Sequence, residues 1–449
     1  MRHNNIFFSL ILISCATACA VGQPLPLDTC LNRALRNNAA VQNTQLDIAR
    51  AKSVKNDAMT NYFPKVSGSV IGYYAHNPLI EYTIDDIDNA YAREWLHNFY
   101  AETGYALGLP DAVTLAERGV SVGVTAVQPV FMGGKIVNGN RLAAQGVKAA
   151  ELQHSLSCQQ LLLQTEQSYW LAFSLIEKKE TVGQALELLD TLYRDVDLAV
   201  QSGLATSNDL LKVTLKRNEL LSDQLRLDNG IVLAMQALCQ MAGIPYSDSL
   251  TLADTLPDNM PLPETLYRNT DEAVLDRDES RLLNISVQAE QLKRKMTVAE
   301  ALPQLMVGVN ASAGNLIFDN FKFNTVGFLW LKIPITDWWS TGCKMRQHNL
   351  DIQKAENTRR DLTEKMSLET QQAWNGLQES RQQLQLSMET VEYARQNLAS
   401  VQVNYDAGIV AIHDLLEAQT LLRQAIDKRT EARINYRMQL RKYAVLTGK

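Results

Sequence analysis

Ser202-Gly203-Leu204-Ala205-Thr206-Ser207-Asn208-Asp209-Leu210-Leu211 has a twin in the same chain, Ala407-Gly408-Ile409-Val410-Ala411-Ile412-His413-Asp414-Leu415-Leu416. The offset is 205 residues, counted from Gly203 to Gly408. It holds upstream as well: Pro129 recurs as Pro334, Thr165 and Gln167 as Thr370 and Gln372, and the aromatic Tyr169 as Trp374. Solenoid units repeat at roughly 20–50 residues, so this spacing is too long for one. It predicts a duplicated half-protein whose two halves pack side by side.

Each twin sits between two helical stretches. Residues 135–201 and 343–407 contain no proline. In the first, Leu175, Val182, Leu189 and Val196 fall seven apart, as do Ala185, Leu192 and Ala199. In the second, Leu377, Leu384, Val391, Leu398 and Tyr405 do the same. A sustained seven-residue period predicts coiled-coil-like packing. About 65 helical residues would run roughly 100 Å at 1.5 Å each. Gly203 and Gly408 are placed to take the left-handed C-terminal conformation. Helices 208–242 and 413–446 follow at once, with Asp209 and Asp414 in first turns, where the helix dipole favours a carboxylate.

Upstream of each long helix the period changes to two. Val120, Val122, Val124 and Ala126 alternate with Ser121, Gly123 and Thr125. Strands are predicted at about 65–76 and 119–128 in the first half, and at about 304–314 and 324–333 in the second. Ten residues suffice for a tilted strand to cross a bilayer in a barrel. Gly68, Gly72, Gly123 and Gly308 are expected on one face, toward a crowded or water-facing interior. An ordinary soluble hairpin in each half is the plainer reading. Residues 77–118 form a long insert, helical in part over Ala90–Ala106, and 314–323 a short one. Ahead of the strands, residues 27–63 read as helical, with Asp28 at the N-cap and Pro64 as the stop. The expected fold is mainly α with a small β part: duplicated long helical hairpins and four strands. The chain divides into an export signal (1–20), a first repeat (21–244), a linker (245–266) marked by Pro245, Pro257, Pro261 and Pro263, and a second repeat (267–449).

The export signal consists of Arg2 and His3, the apolar run Ile6 to Ile13 and the A-x-A site Ala18-Cys19-Ala20. Leu12-Ile13-Ser14 before Cys15 also resembles a lipobox, so cleavage after Ala20 and lipidation at Cys15 are both open. No later apolar run is long enough for a membrane helix, so a membrane form requires a closed β-barrel. A net charge of −6 argues against nucleic acid. Cys30, Cys158, Cys239 and Cys343 are too scattered for a metal site or disulfide framework and read mostly as packed thiols. The six histidines show no ligand spacing. No nucleophile elbow, phosphate loop or zinc-protease motif occurs, and Gly133-Gly134-Lys135 reads as a turn. Neither an enzymatic activity nor a cofactor is expected.

Together these stretches resemble the TolC family of outer-membrane efflux and export channels. The resemblance rests on the duplication, on Val127-Gln128-Pro129-Val130-Phe131 followed by Gly133-Gly134-Lys135, and on the two twins. The second twin extends to Tyr405-x-x-Gly408-x5-Asp414-Leu415-Leu416-x-Ala418-Gln419. The resemblance implies a homotrimer with a twelve-stranded transmembrane barrel and a periplasmic helical tunnel. It implies a periplasmic adaptor and an inner-membrane transporter as partners. Gly203, Leu204, Gly408 and Ile409 match the family's adaptor-contacting tips. Asp414 and Glu417 match acidic positions of the pore entrance, and Asp209 and Tyr405 match the gate latch. A basic latch residue of the family falls at Val410 here, so the gate's wiring differs. The alternative is a periplasmic coiled-coil scaffold or tether without a pore. The cargo, whether drug, metal or protein, leaves no mark in these residues.

Overall fold

The computed structural model describes residues 24–76, 80–101, 112–115, 118–257, 259–315 and 321–448. The export signal, with Cys15 and Ala20, and parts of the insert 77–118 lie outside them. In chain order the elements are α1 (Leu27–Asn37), α2 (Ala39–Thr60), β1 (Lys65–Tyr74), β2 (Ile80–Thr83), α3 (Ala90–Phe99), β3 (Ala112–Leu115) and β4 (Arg118–Phe131). Then come α4 (Lys135–Gln201), α5 (Ser207–Ala242), α6 (Thr270–Asp276), α7 (Asp278–Glu300), β5 (Gln304–Gly314), β6 (Lys322–Lys332), α8 (Asp337–Asp406) and α9 (Ile412–Thr447).

The chain forms two compact units, and they are not the two sequence halves. One holds residues 1–47, 151–282 and 360–449, the other 48–150 and 283–359, so each takes material from both halves. The long helices α4 and α8 contribute to both.

The second unit carries an antiparallel sheet in the order β1-β4-β5-β6. Its register pairs Val70 with Val122, Val122 with Ala313, and Ala313 with Phe323. Cross-strand partners share a face. Val66, Val70, Val120, Val122, Val124, Val307, Val309, Phe323 and Leu329 therefore lie on one side, and all are exposed. Ser67, Ser69, Ser121, Thr125, Asn310, Ser312 and Asn324 lie on the other, together with the exposed Ile71, Val326 and Trp330, and there Asn310 Nδ2 donates to Thr125 Oγ1 across 2.7 Å. The glycines divide between the two faces, contrary to expectation. Gly68 and Gly72 pair with Val124 and Val120 on the apolar side, whereas Gly123 and Gly308 are on the polar side. Glycines on three different strands, β1, β4 and β5, have no common phase until the register is known. Gly308 is covered by the Phe328 ring of the adjoining strand, which leaves no room for a Cβ. β4 carries a bulge between Pro129 and Phe131, where proline cannot donate to the ladder. Gly133 and Gly134 then turn the chain at positive φ (63° and 88°) into α4, as read from the sequence.

The insert is helical in part as expected: α3 runs Ala90–Phe99, capped at its start by Asn89, and residues 102–106 of the expected stretch lie outside the described ones. A short β2–β3 ladder, Ile80–Thr83 against Ala112–Leu115, had no counterpart in the sequence reading.

The 27–63 helix is two helices, α1 and α2. Asn38 leaves the helical conformation, and its side chain accepts from Ala40 N at 2.9 Å, which starts α2. Asp28 is not the N-cap of α1: it lies in the first turn, and the Leu27 N–H donates to Asp254 Oδ2 at 2.6 Å. Asp254 belongs to the linker, which is packed into the core. Leu25 bridges to Leu252, and Leu256 is buried with Tyr169, Trp170, Phe173 and Leu238. The duplicated threonines play the same part in both halves. Thr165 and Thr370 are buried and donate to the carbonyls four residues back, Leu161 and Met366. Cys30 and Cys239 are buried, and desolvation pushes the Cys30 thiol up to about 12. Cys158 is half-buried, and Cys343 is exposed rather than packed.

Candidate functional site

The two twins become the turns of two helical hairpins, α4–α5 and α8–α9, and both turns have the same construction. Gly203 N donates to Val200 O (3.0 Å) and Leu204 N to Ala199 O (2.8 Å). Gly408 N donates to Tyr405 O (2.9 Å) and Ile409 N to Asn404 O (2.8 Å). This is the Schellman closure, which needs a left-handed residue, and the glycines supply it at φ 76° and 72°. No neighbour crowds either glycine, so backbone conformation alone requires it. The closure leaves Leu204 85% and Ile409 72% exposed, two apolar side chains pointing away from their own core.

The turns differ on the far side. Thr206 caps α5 fully: its Oγ1 accepts from Asp209 N (3.3 Å), and the Asp209 carboxylate takes the Thr206 hydroxyl at 2.7 Å. Ala411 stands at the matching position before α9 and has no acceptor. Only the return bond exists, Ala411 N to Asp414 Oδ2 at 3.1 Å. The T-x-x-D capping pattern was legible and explains Asp209 more directly than the helix dipole does.

Behind the turns, one apolar cluster joins both hairpins. Val182, Leu189, Leu192 and Val196 of α4 meet Val213 and Leu220 of α5 and Ile412, Leu415 and Leu416 of α9, with Leu398 and Tyr405 of α8 partly buried against them. Those of α4 and α8 are heptad positions read from the sequence; the α5 and α9 partners were not among them. Arg217 to Asp190 (2.5 Å) and Lys179 to Asp228 (2.6 Å) hold α4 against α5 within one hairpin, while Lys178 to Glu431 (2.5 Å) ties that hairpin to the other.

The structure brings Asp209 and Tyr405 into one electrostatic neighbourhood. Burial, with Asp209, Asp195 and Asp406 close by, raises the Tyr405 phenol above its ordinary value. The Thr206 hydroxyl bond, aided by Lys212 at 3.2 Å, holds Asp209 below the usual carboxylate range. No hydrogen bond joins the two among the described residues. Val410, half-buried, supplies no charge between them. Asp414 and Glu417 are exposed on the first turns of α9, on the side opposite buried Leu415 and Leu416. His413 lies 3.9 Å from Glu417.

The sheet gathers its serine and asparagine side chains on one face, and its strands of 10 to 14 residues are long enough to cross a bilayer in a barrel; long heptad hairpins accompany it in the chain. Residues 281–449 match the family described as outer membrane efflux protein. Solved structures with the same fold include a membrane protein from Pseudomonas aeruginosa, with TM-score 0.76, 15% identity, and 94% of this chain and 93% of that one covered. The Campylobacter jejuni CmeC outer membrane channel gives TM-score 0.76 at 16% identity, covering 94% and 85%. The open state of the Neisseria gonorrhoeae MtrE outer membrane channel gives 0.73 at 14%, covering 94% and 88%. No curated protein sequence matches.

Proposed function

We propose that this protein is the outer-membrane exit duct of a tripartite efflux or type I secretion system. Three copies join β6 of one to β1 of the next and close a twelve-stranded barrel. The apolar faces meet lipid, and the polar faces line water. The hairpin ends dock a periplasmic adaptor through Gly203-Leu204 and Gly408-Ile409, and an inner-membrane transporter supplies the cargo. Asp414 and Glu417 ring the periplasmic entrance, and Asp209 with Tyr405 holds it shut. Transport through the duct is passive, and no bond is made or broken.

One observation carries this reading. The sheet exposes valine, phenylalanine and leucine on one face and gathers its serines and asparagines on the other, and among the described residues β1 and β6 each pair on one side only. Open edges with exposed valine, phenylalanine and leucine cannot stay in water without pairing or aggregating. A periplasmic tether would leave both the edges and the apolar face uncovered. The test is reconstitution of the detergent-purified protein in planar bilayers, with native mass spectrometry alongside. A trimer that conducts is expected. A monomer that stays soluble without detergent and forms no channels would refute the duct.

A further inference from the structure

Glu290 on α7 meets His348 and Asp351 on α8 within the second unit. The three side chains each bring a ligand atom within 4.8 Å of the others. His348 and Asp351 are three residues apart and so share one face of α8. The two imidazole nitrogens have different surroundings. Nε2 is 2.9 Å from the Thr297 hydroxyl of α7. Nδ1 is closed off from solvent and has no hydrogen-bond partner. A buried ring nitrogen without a partner, on a histidine grouped with two carboxylates, is an unusual thing for a helix pair to retain.

We propose that Glu290, His348 and Asp351 form a site for a divalent first-row transition cation, such as zinc or manganese. The ligands are His348 Nδ1 and one oxygen from each carboxylate. An imidazole with two carboxylates is a borderline donor set. It lacks the thiolates that select soft ions, and it differs from the all-oxygen shells of calcium and magnesium. Thr297 occupies the non-ligating nitrogen, as ligand histidines commonly require to fix their tautomer and ring orientation. Lys293 takes Glu290 Oε1 at 2.7 Å and leaves Oε2 for the ion. Ligand bonds of about 2.1 Å bring the three donors closer together than they stand here. The side chains have room to close, since that of Asp351 is 47% exposed. A bound cation would staple α7 to α8. Sequence spacing could not reveal the site, because Glu290 lies 58 residues before His348 on another helix. The proposal is independent of whether the protein conducts.

The test uses the full-length protein in detergent, its affinity tag removed and its metals stripped by chelator. Titration calorimetry with zinc chloride alone should give one ion per chain and raise the unfolding temperature. His348→Gln should abolish that stoichiometric site. Glu290→Gln and Asp351→Asn should each weaken it at least ~10-fold, and Thr297→Val should weaken it about 10-fold through loss of imidazole orientation. Should His348→Gln fail to fold by circular dichroism, Asp351→Asn, altered at a partly exposed position, decides in its place. Absence of a one-per-chain site in the unaltered protein, or its persistence in the deciding variant, overturns the proposal.

Discussion

Ala411 and Thr206 stand at equivalent positions, and one hydroxyl separates them. Thr206 completes a reciprocal cap with Asp209, while Ala411 leaves a donor of α9 without a side-chain acceptor. A threonine or serine N-cap is worth about 1 kcal/mol over alanine. Ala411→Thr should therefore stabilise the protein by about 1 kcal/mol, and Thr206→Ala should destabilise it by about the same. Unfolding midpoints in denaturant check both, and equal midpoints for the two variants would refute the difference between the turns. Asp209 adds a dependence on pH. Its pKa is depressed on folding, so its contribution is present above the unfolded value of about 3.9 and is lost as pH falls through the depressed value. Asp209→Asn has no charge to lose. Melting curves between neutral and acid pH should fall less steeply for the variant below about pH 4. The roles of both aspartates were legible in part. Their place in a first turn came from spacing, but their bonds came from the residue three positions earlier.

At the scale of elements, periodicity located the hairpins and strands, and local chemistry moved their limits. The long helix expected from 343 begins at Asp337, six residues sooner. The break at Asn38 and its counterpart at Arg277 divide stretches whose apolar pattern runs on without interruption. Strand faces were the larger difference. Alternation fixed the phase within β4, but only pairing related that phase to Gly68 and Gly308. Phe328 over Gly308 is the consequence most open to test. Gly308→Ala should force the ring from its place at a cost of about 1–3 kcal/mol, the usual penalty for overpacking. Adding Phe328→Ala should relieve much of it. Thermal migration shifts on detergent gels measure both, and a Gly308→Ala protein as heat-resistant as the original would show that the ring yields freely.

For the whole molecule, the exposed carboxylates and the open sheet edges acquire meaning only in an assembly. Three Asp414 and three Glu417 side chains around a narrow entrance would concentrate cations and repel anions. Replacing Asp414 with Ala and Glu417 with Gln should lower the cation-to-anion permeability ratio severalfold in single-channel recordings and weaken block by multivalent cations. Unchanged selectivity would place these residues away from the conducting path. Val410 bears on the proposed gate: a valine there offers Asp209 and Tyr405 no ion-pair partner, so the proposed latch would rest on packing and the Thr206–Asp209 cap.

The duplication, the heptads and the alternating strands are local regularities, and the sequence alone was enough to show a helical-hairpin protein with four strands of bilayer-spanning length. Periodicity of apolar residues survives without knowledge of any partner, since it records only which side of an element avoids water. Which residues stand opposite one another depends on register and on contacts between distant segments. Asp254 capping α1, the linker packed against Tyr169 and Trp170, glycines divided between two faces, and Glu290 beside His348 and Asp351 all arise from chain segments far apart in sequence. Only the tertiary structure could decide them, because close approach between distant residues leaves no spacing for the sequence to display.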